Sequence, residues 1–499
     1  MIIMIMTSYA VILLIAAACL YLPYLPMEFG SPGFYTFAFF LSGTVIAGIL
    51  LWSVVPRVDR FTPAGLRLER SSQPRLFAEI DDVALLLDEP PPHEVYLIGE
   101  VGAWVADRGG FVGFGSRRVM GVGLPLLSIL NISQFRGVIA HEFAHYYAGD
   151  TRLGPWIYKT RTAIIRSFQN IEPLGEVTIP ALRVMHVLVS KILELYFAMF
   201  LRATSWISRQ QEYRADELAC IVAGSQPLIE GLRAIHGARP AWQEYWNTEA
   251  SPVLNMGSLP PIAEGFTLFV AAPDISRQIK TNLDHEIKLA TTSPYDSHPT
   301  LRDRVAVAQE LRGVSQQQNE QSALSLLDNP EATELCFIRA IDPSLTAKDL
   351  AHVRWEEVGN KVTLPAWRNF VKLYEGLLQG LTLDLLPGVL PKLSELGSHI
   401  QDPSGMLLTR LKRTRRAGQL LAAGFALSLL NSGWELRAQP GVLYLSRGDD
   451  EINPFLMVDE LVSGQLSAGT WTSRCCQLGI SQLPLSEPWK QSAHVAENT

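Results

Sequence analysis

The first 55 residues of this 499-residue chain contain almost no charge. No charged side chain occurs in residues 1–27 or 34–55, and Glu28 lies between these two segments. Each segment exceeds the ~18–20 apolar residues that a helix needs to cross a bilayer. The first segment also lacks basic residues at its start, which disfavours a cleaved signal peptide. We therefore predict two transmembrane helices, over about 8–26 and 34–55.

Basic residues are missing between these helices but abundant after the second one. The arginines that follow it are Arg57, Arg60, Arg67, Arg70 and Arg75. Positive charge near a membrane helix is retained on the cytoplasmic side. We therefore expect an integral membrane protein, of a bacterial inner membrane, whose large C-terminal portion is cytoplasmic.

The chain also lacks paired cysteines and a concentrated charge of either sign. Its five cysteines show no disulfide or metal-type spacing, which agrees with a reducing compartment. The net charge of −7 is spread along the chain, so the sequence gives no indication of a nucleic-acid partner.

A short motif carries the main chemical signal. His141-Glu142-Phe143-Ala144-His145 spells H-E-x-x-H. On a helix, positions four apart share a face, so both imidazoles can bind one zinc ion while Glu142 reaches a water on it. The alternative is an amphipathic helix with two surface histidines. The apolar run 135–140 that leads into the motif argues against that alternative, because buried polar groups need partners and a metal would supply them. The motif therefore predicts hydrolysis of peptide bonds.

Two later segments could complete the site. Catalytic zinc usually has three protein ligands, and Glu212 could be the third, with Asp216 four residues on bonding to a ligand histidine. The alternative for this segment is an exposed charged helix. Further along, His298 could donate a hydrogen bond to an oxyanion, and Arg304 could hold a ligand carboxylate. Without the first motif, neither segment would indicate a function.

These segments together resemble a known family. H-E-F-A-H-Y-Y-A-G-D (141–150), E-Y-R-A-D (212–216) and H-P-T-L-R-D-R (298–304) occur in the order found in the membrane-bound gluzincin zinc metallopeptidases. That family includes the protease HtpX and the CAAX prenyl protease. Residues 95–104 are similar to the strand that precedes the family's zinc helix, with Gly102 in place of the usual asparagine.

The resemblance implies a role for each motif residue. It implies one zinc ion per chain, with His141, His145 and Glu212 as its ligands and Glu142 as the base. Asp150 and Asp216 are expected to be supporting carboxylates. His298 is expected to be the transition-state donor, and Arg304 is expected to pair with Glu212.

The predicted fold class is α+β and predominantly helical. It comprises a zincin-type metallopeptidase domain, N-terminal transmembrane helices and a small C-terminal α+β module. The predicted segments are two transmembrane helices (1–55), a linker with an amphipathic helix (56–94), the peptidase domain (95–310), a helical region (311–430), the α+β module (431–485) and a disordered tail (486–499). Residues 95–122 are expected to be β-rich, and the resemblance implies that an edge strand beside the site can hold a substrate in extended form.

One further apolar stretch, 181–207, contains Arg183, Lys191, Glu194 and Arg202. Such charges are costly in a bilayer, and a single crossing would separate the zinc motifs. We therefore expect a long amphipathic helix that packs on the domain or lies at the membrane surface.

The function predicted from these features is a membrane-anchored zinc endopeptidase in membrane-protein quality control. Its expected partners are peptide or membrane-protein substrates and the lipid bilayer. The alternatives are a membrane-tethered peptide-binding or assembly factor, and a dedicated processing protease with one substrate.

Overall fold

The structure, a computed structural model, describes most of the chain. The described residues are 2–29, 33–55, 64–109, 115–146, 154–176, 179–291, 293, 296, 298–311, 318–345, 350–401 and 409–486. They form two compact units. The first unit comprises 1–239 and 279–343, and the second comprises 240–278 and 344–499. Both boundaries within the predicted peptidase domain fall inside helices.

The first unit begins with the two helices that the charge-free segments predict. These are α1 (Ile2–Phe29) and α2 (Phe34–Val54). By length and composition α2 can cross a membrane, and α1 contains a shorter apolar stretch over Met6–Tyr21. The helices are confirmed, while their crossing of a bilayer stays a prediction.

A four-stranded mixed sheet follows, with the strand order β1-β2-β4-β3. Strand β2 is antiparallel to β1 and parallel to β4, whereas β3 is antiparallel to β4 and lies at the edge. Strand β1 lies in the segment that we predicted as linker, and α3 is the amphipathic helix expected there. The bounds are β1 Leu66–Leu68, α3 Pro74–Leu86, β2 Glu94–Ile98, β3 Ala103–Arg108 and β4 Arg117–Gly123.

Two helices continue from the sheet. They are α4 (Leu124–Ile129) and α5 (Ile132–Ala144). A capping box starts α5: the Asn131 side chain accepts from the Gln134 N–H, and the Gln134 side chain accepts from the Asn131 N–H. Ten of the thirteen α5 residues are buried, so the H-E-x-x-H motif is fixed within the core.

The stretch 181–207 belongs to a single 44-residue helix, α7 (Pro180–Ala223), preceded by α6 (Gly154–Ile171). The first half of α7 buries one face against α1, α2 and α6. Its buried residues there are Leu182, Met185, Val189, Leu193 and Phe200. The predicted long amphipathic helix is thus present. It packs on the N-terminal helices, together with α6, which the sequence did not reveal. We refer to α1, α2, α6 and the first half of α7 as the N-terminal helix cluster.

The first unit is completed by four further helices, two of which extend into the second unit. They are α8 (Ser225–Tyr245), α11 (Pro273–Leu289), α12 (Leu301–Glu310) and α13 (Pro330–Ile341). The part of α8 beyond Arg239 and the start of α11 belong to the second unit.

The second unit is mainly helical around α19, which is buried in an apolar core. The α-helices are α9 Ser251–Asn255, α10 Ile262–Ala271, α14 Trp355–Val358, α15 Leu364–Leu373, α16 Glu375–Leu378, α17 Leu386–Val389, α18 Leu393–Leu396, α19 Arg410–Asn431, α20 Pro454–Ser463 and α21 Ala468–Gln477. The strands are β5 Ser258–Leu259, β6 Ala351–His352, β7 Glu435–Gln439, β8 Val442–Arg447 and β9 Asp450–Ile452.

Short helical turns of other types join these elements. Two π-helical turns occur in the described part of the second unit, Trp246–Ala250 and Gly359–Thr363. The 3₁₀ turns of both units are Glu172–Glu176, Ala323–Leu326, Pro343–Leu345, Leu383–Leu385, Leu390–Lys392 and Gly397–His399.

The second unit differs from the predicted segmentation. The strand, Pro-Gly turn, strand and two helices expected over 431–485 are present. They share one core with residues 364–429 and do not form a separate module. Residues 240–278, which we placed in the peptidase domain, group with this unit, and 318–343 group with the first unit. Of the predicted tail, only residue 486 lies within the described chain.

Candidate metal centre

The two motif histidines lie one turn apart on α5 with their rings in edge contact. The centroids of His141 and His145 are 4.8 Å apart. His141 is 7% exposed, because the helix packs on the sheet and on α7. Burial and the charge of His141 lower the pKa of His145 to about 4, so its imidazole is neutral at pH 7. A neutral imidazole is the form that binds a metal. Burial acts to lower the pKa of His141 too, but hydrogen bonds to Asp216 and Glu212 raise it to about 9, so metal binding at His141 would release a proton.

Glu212 projects from α7 toward both rings. Its Oε2 lies 3.4 Å from Nε2 of His141, and its Oε1 lies 3.8 Å from Nε2 of His145. The three ligand atoms all lie within 4.8 Å of one another. Burial acts to raise the pKa of Glu212, but hydrogen bonds to His141 and His298 outweigh it and hold the pKa well below its usual range. Two imidazoles and one ionised carboxylate form a set that fits a catalytic zinc ion.

Asp216 and Arg304 lie behind these donors, away from the solvent. Asp216 is fully buried, and its Oδ1 is 2.9 Å from Nδ1 of His141. Arg304 donates two hydrogen bonds to Asp216, from Nη2 at 2.6 Å and from Nε at 2.8 Å. The Nη1 of Arg304 is 3.7 Å from Glu212 Oε2, so Asp216 is its closer partner. The Asp216 contact holds the Nε2 of His141 toward Glu212.

His298 is at the open side of the group. Its side chain is 71% exposed, and its Nδ1 is 2.8 Å from Glu212 Oε1. The following residues begin α12, whose N-terminal Thr300 side chain accepts a hydrogen bond from the Asp303 N–H. The helix therefore places Arg304 inside and leaves His298 at the surface of the site.

Glu142 lies next to His141 on α5. Burial raises the pKa of its carboxyl to about 7, against the opposing effect of His141. A carboxyl group with a pKa near 7 can both accept and release a proton at neutral pH. Asp150, the remaining residue of the predicted set, lies outside the described residues.

Tyr146 is a site residue that the sequence reasoning missed. Its hydroxyl donates to the Val105 carbonyl on β3 at 3.1 Å, and the Arg118 guanidinium lies 4.2 Å from its ring centre. This contact joins the end of the zinc helix to the edge strand of the sheet. Its position directly after His145 was the available signal, but nothing in the sequence shows which strand it reaches.

Comparisons with known proteins agree with this geometry. The model of Peptidase family M48 matches residues 71–312. "Protease HtpX" of Acinetobacter baumannii (strain AYE) is 28% identical over 122 residues, which cover 23% of this chain and 40% of that protein. "Protease HtpX" of Acinetobacter baylyi (strain ATCC 33305 / BD413 / ADP1) is 27% identical over 122 residues, with the same coverage. The similarity thus spans less than half the length of these relatives. Residues 71–312 thus match Peptidase family M48, which is consistent with the HtpX-like gluzincin family that the three motifs resemble.

Proposed function

We propose that the chain is a membrane-anchored zinc endopeptidase whose active site lies on the cytoplasmic side. The observation that carries this proposal is the convergence of His141, His145 and Glu212 beside a carboxyl group, Glu142, with a pKa near 7. Metal-binding residues alone would suit a structural site. The adjacent proton carrier is what hydrolysis requires.

His141, His145 and Glu212 would hold the zinc ion. When bound, zinc lowers the pKa of a coordinated water toward about 7 and polarises a carbonyl oxygen. Glu142 accepts the proton of the attacking water and then passes it to the leaving amine. His298, exposed at the mouth of the site, donates a hydrogen bond to the oxyanion. Asp216 keeps the tautomer and orientation of His141 fixed, and Arg304 balances the buried charge of Asp216.

Strand β3 is suited to hold the substrate in extended form. The Gly123 N–H donates to the Gly102 carbonyl, and with the register of β3 on β4 this directs the main-chain groups of Val105 to the outer edge. The Tyr146 hydroxyl donates a hydrogen bond to the Val105 carbonyl at this edge. The Val105 N–H has no hydrogen-bond partner among the described residues. An extended peptide can therefore pair with this edge, which favours affinity with little sequence selectivity.

The surface of the N-terminal helix cluster supports a membrane location. Large apolar side chains face outward from α1, α2 and α7, including Leu14, Phe37, Trp52, Val184 and Leu195. Both α2 and α7 are long and apolar enough to cross a bilayer. An apolar outer surface of this extent suits contact with lipid. Whether 181–207 crosses the membrane or lies on it stays a prediction.

The catalytic assignment is tested by Glu142→Gln. We expect this variant to keep one zinc ion per chain and to lose at least about a hundredfold in peptide cleavage, because Gln cannot carry the proton. Zinc content by metal analysis and cleavage of an unfolded protein should be measured on the same preparation. Glu217→Gln, a change on the exposed side of α7, is the matched control. Undiminished cleavage by zinc-loaded Glu142→Gln protein would refute the mechanism.

We further propose that the substrates are damaged or misassembled membrane proteins. This proposal rests on the lipid-facing helix cluster joined to a site with an open edge strand. Comparative proteomics of cells with the intact chain or the Glu142→Gln variant tests it, and we expect several membrane proteins to accumulate. One uncut precursor would instead indicate dedicated processing, and no accumulation at all would favour a binding or assembly role.

A further inference from the structure

A cavity of about 280 Å³ lies within the second unit, apart from the residues of the metal centre. Its walls come from both π-helical turns, from α9, α14, α15 and α20, and from the β7–β8 hairpin. The apolar wall includes Trp355, Trp367, Val358, Val442 and Phe455. The rings of Trp367 and Phe455 are 5.1 Å apart and form an aromatic pair in this wall.

Both π-helical turns described in this unit border this one cavity. Each is followed within two residues by a proline, Pro252 after the first turn and Pro365 after the second. A proline has no N–H and cannot continue the usual ladder, so the preceding turn widens. Widened turns of this kind are rare and occur often at functional sites. Because both turns border the same cavity, the shape of this cavity depends on the two turns and on the prolines that follow them.

Glu249, in the first π-helical turn, is one of the residues that line the cavity. One carboxylate oxygen, Oε1, accepts a hydrogen bond from the Gly441 N–H at 3.3 Å. Among the described residues no lysine, arginine or histidine pairs with this carboxylate. Burial and the charge of Glu244 raise the pKa of Glu249, as expected for a carboxylate that lacks a cation. An incoming cation would supply the missing partner.

Strand β7 of the hairpin beside the cavity pairs with only one strand, β8, in the described part of the chain. The order β7-β8-β9 makes β7 an edge strand, and Gln439 faces Val442 across the two-residue Pro-Gly turn. In such a hairpin the main-chain groups of Leu436 and Ala438 point away from β8. Ala438 also lines the cavity. A polypeptide paired with this edge could therefore place a side chain next to Glu249.

We propose that this cavity binds a lysine side chain of an extended polypeptide segment, with apolar residues next to the lysine. The four-carbon stem of lysine packs along the aromatic wall and its ammonium group pairs with Glu249. The second unit would then be a peptide-recognition site. This proposal does not depend on the proteolytic mechanism.

The test uses the full-length chain in detergent micelles with the Glu142→Gln change, which prevents turnover. Binding of the peptide acetyl-Phe-Lys-Val-Phe-amide is measured by calorimetry and by the fluorescence of the cavity tryptophans. The matched ligand has norleucine in place of lysine. We expect the lysine peptide to bind roughly tenfold to a hundredfold more tightly, the value of a hydrogen bond to a charged group.

Glu249→Gln should remove this preference and leave the norleucine peptide unaffected, because Gln still accepts from Gly441 and keeps the fold. Glu356→Gln, an exposed carboxylate on α14, is the control and should retain the preference. Equal binding of the two peptides to the unchanged cavity, or an unchanged preference in Glu249→Gln, would overturn the proposal. Hexylamine bound as tightly as the lysine peptide would also overturn it, since the site would then take small amines.

Discussion

Asp216 contacts both a histidine and the arginine of the candidate metal centre, His141 and Arg304. Its position four residues after Glu212 predicts that both carboxylates share a helix face, and the structure has them so. Spacing does not tell which group each carboxylate meets. The expected ion pair of Arg304 with Glu212 is present at 3.7 Å, and the two shortest bonds of Arg304 go to Asp216. The distinction depends on angstrom-scale packing between α7 and α12, which are 88 residues apart in sequence at this contact.

We predict that Asp216→Asn weakens zinc binding by about tenfold to a hundredfold, because the negative charge that orients and strengthens the His141 donor is lost. Competition with a chelator of known affinity measures this effect. The control is Glu217→Gln, whose carboxylate pairs with Arg214 at the surface. Unchanged zinc affinity in Asp216→Asn would show that Asp216 has only a packing role.

At the scale of elements, local patterns predicted helices better than strands. The amphipathic helix within 56–94 and the helix of the H-E-x-x-H motif were predicted from local patterns, and both are present. Strand β1 is three residues long and exists because it pairs with β2, about 30 residues away. The π-helical turns depend on prolines that follow them, and helix periodicity does not distinguish them. The sequence therefore predicted neither the pairing of β1 with β2 nor the two π-helical turns.

For the edge strand, we predict that Val105→Pro lowers kcat/KM for peptide cleavage by roughly threefold to tenfold, the value of one lost main-chain hydrogen bond. The change removes an N–H that faces outward, so zinc content and the midpoint of thermal unfolding should remain close to those of the unaltered chain. Steady-state kinetics on an unstructured peptide provide the measurement.

Ala106→Pro is the matched comparison for this prediction. The Ala106 N–H faces β4 within the sheet, so its removal should lower thermal stability as well as activity. If Val105→Pro cleaves peptides as efficiently as the unaltered chain, the substrate does not pair with this edge.

At the scale of the whole molecule, the charge pattern makes a prediction about the side of the membrane. Cys336 and Cys476 are exposed, each in a different unit. Chains that keep only one of them should react with a membrane-impermeant maleimide only after cells are lysed, because both units are expected in the cytoplasm.

The control for this topology is Gly33→Cys in a chain without other cysteines. Gly33 lies at the start of α2 and has open space around its Cα, so a cysteine there is tolerated. It should be labelled in intact cells. Labelling of Cys336 or Cys476 in intact cells would show that the predicted orientation is wrong.

The division into two units was the least predictable feature. Residues 240–278 follow the zinc-ligand helix closely in sequence, which placed them in the peptidase domain. Their apolar residues complete the second unit, whose other residues begin 66 positions later at Ser344. Composition alone does not reveal such a discontinuous arrangement, because both parts are ordinary amphipathic helices.

Helix α7 joins the N-terminal helix cluster to Glu212 and Asp216 without interruption, as a rod about 66 Å long. In a continuous helix, the directions in which the side chains point around the axis are fixed relative to one another. Any rotation of its N-terminal half about the helix axis must turn both carboxylates through the same angle. One alanine inserted after Ala203 would put the two halves about 100° out of phase. The chain could then bury the face that includes Leu193 or direct Glu212 to the histidines, but not both.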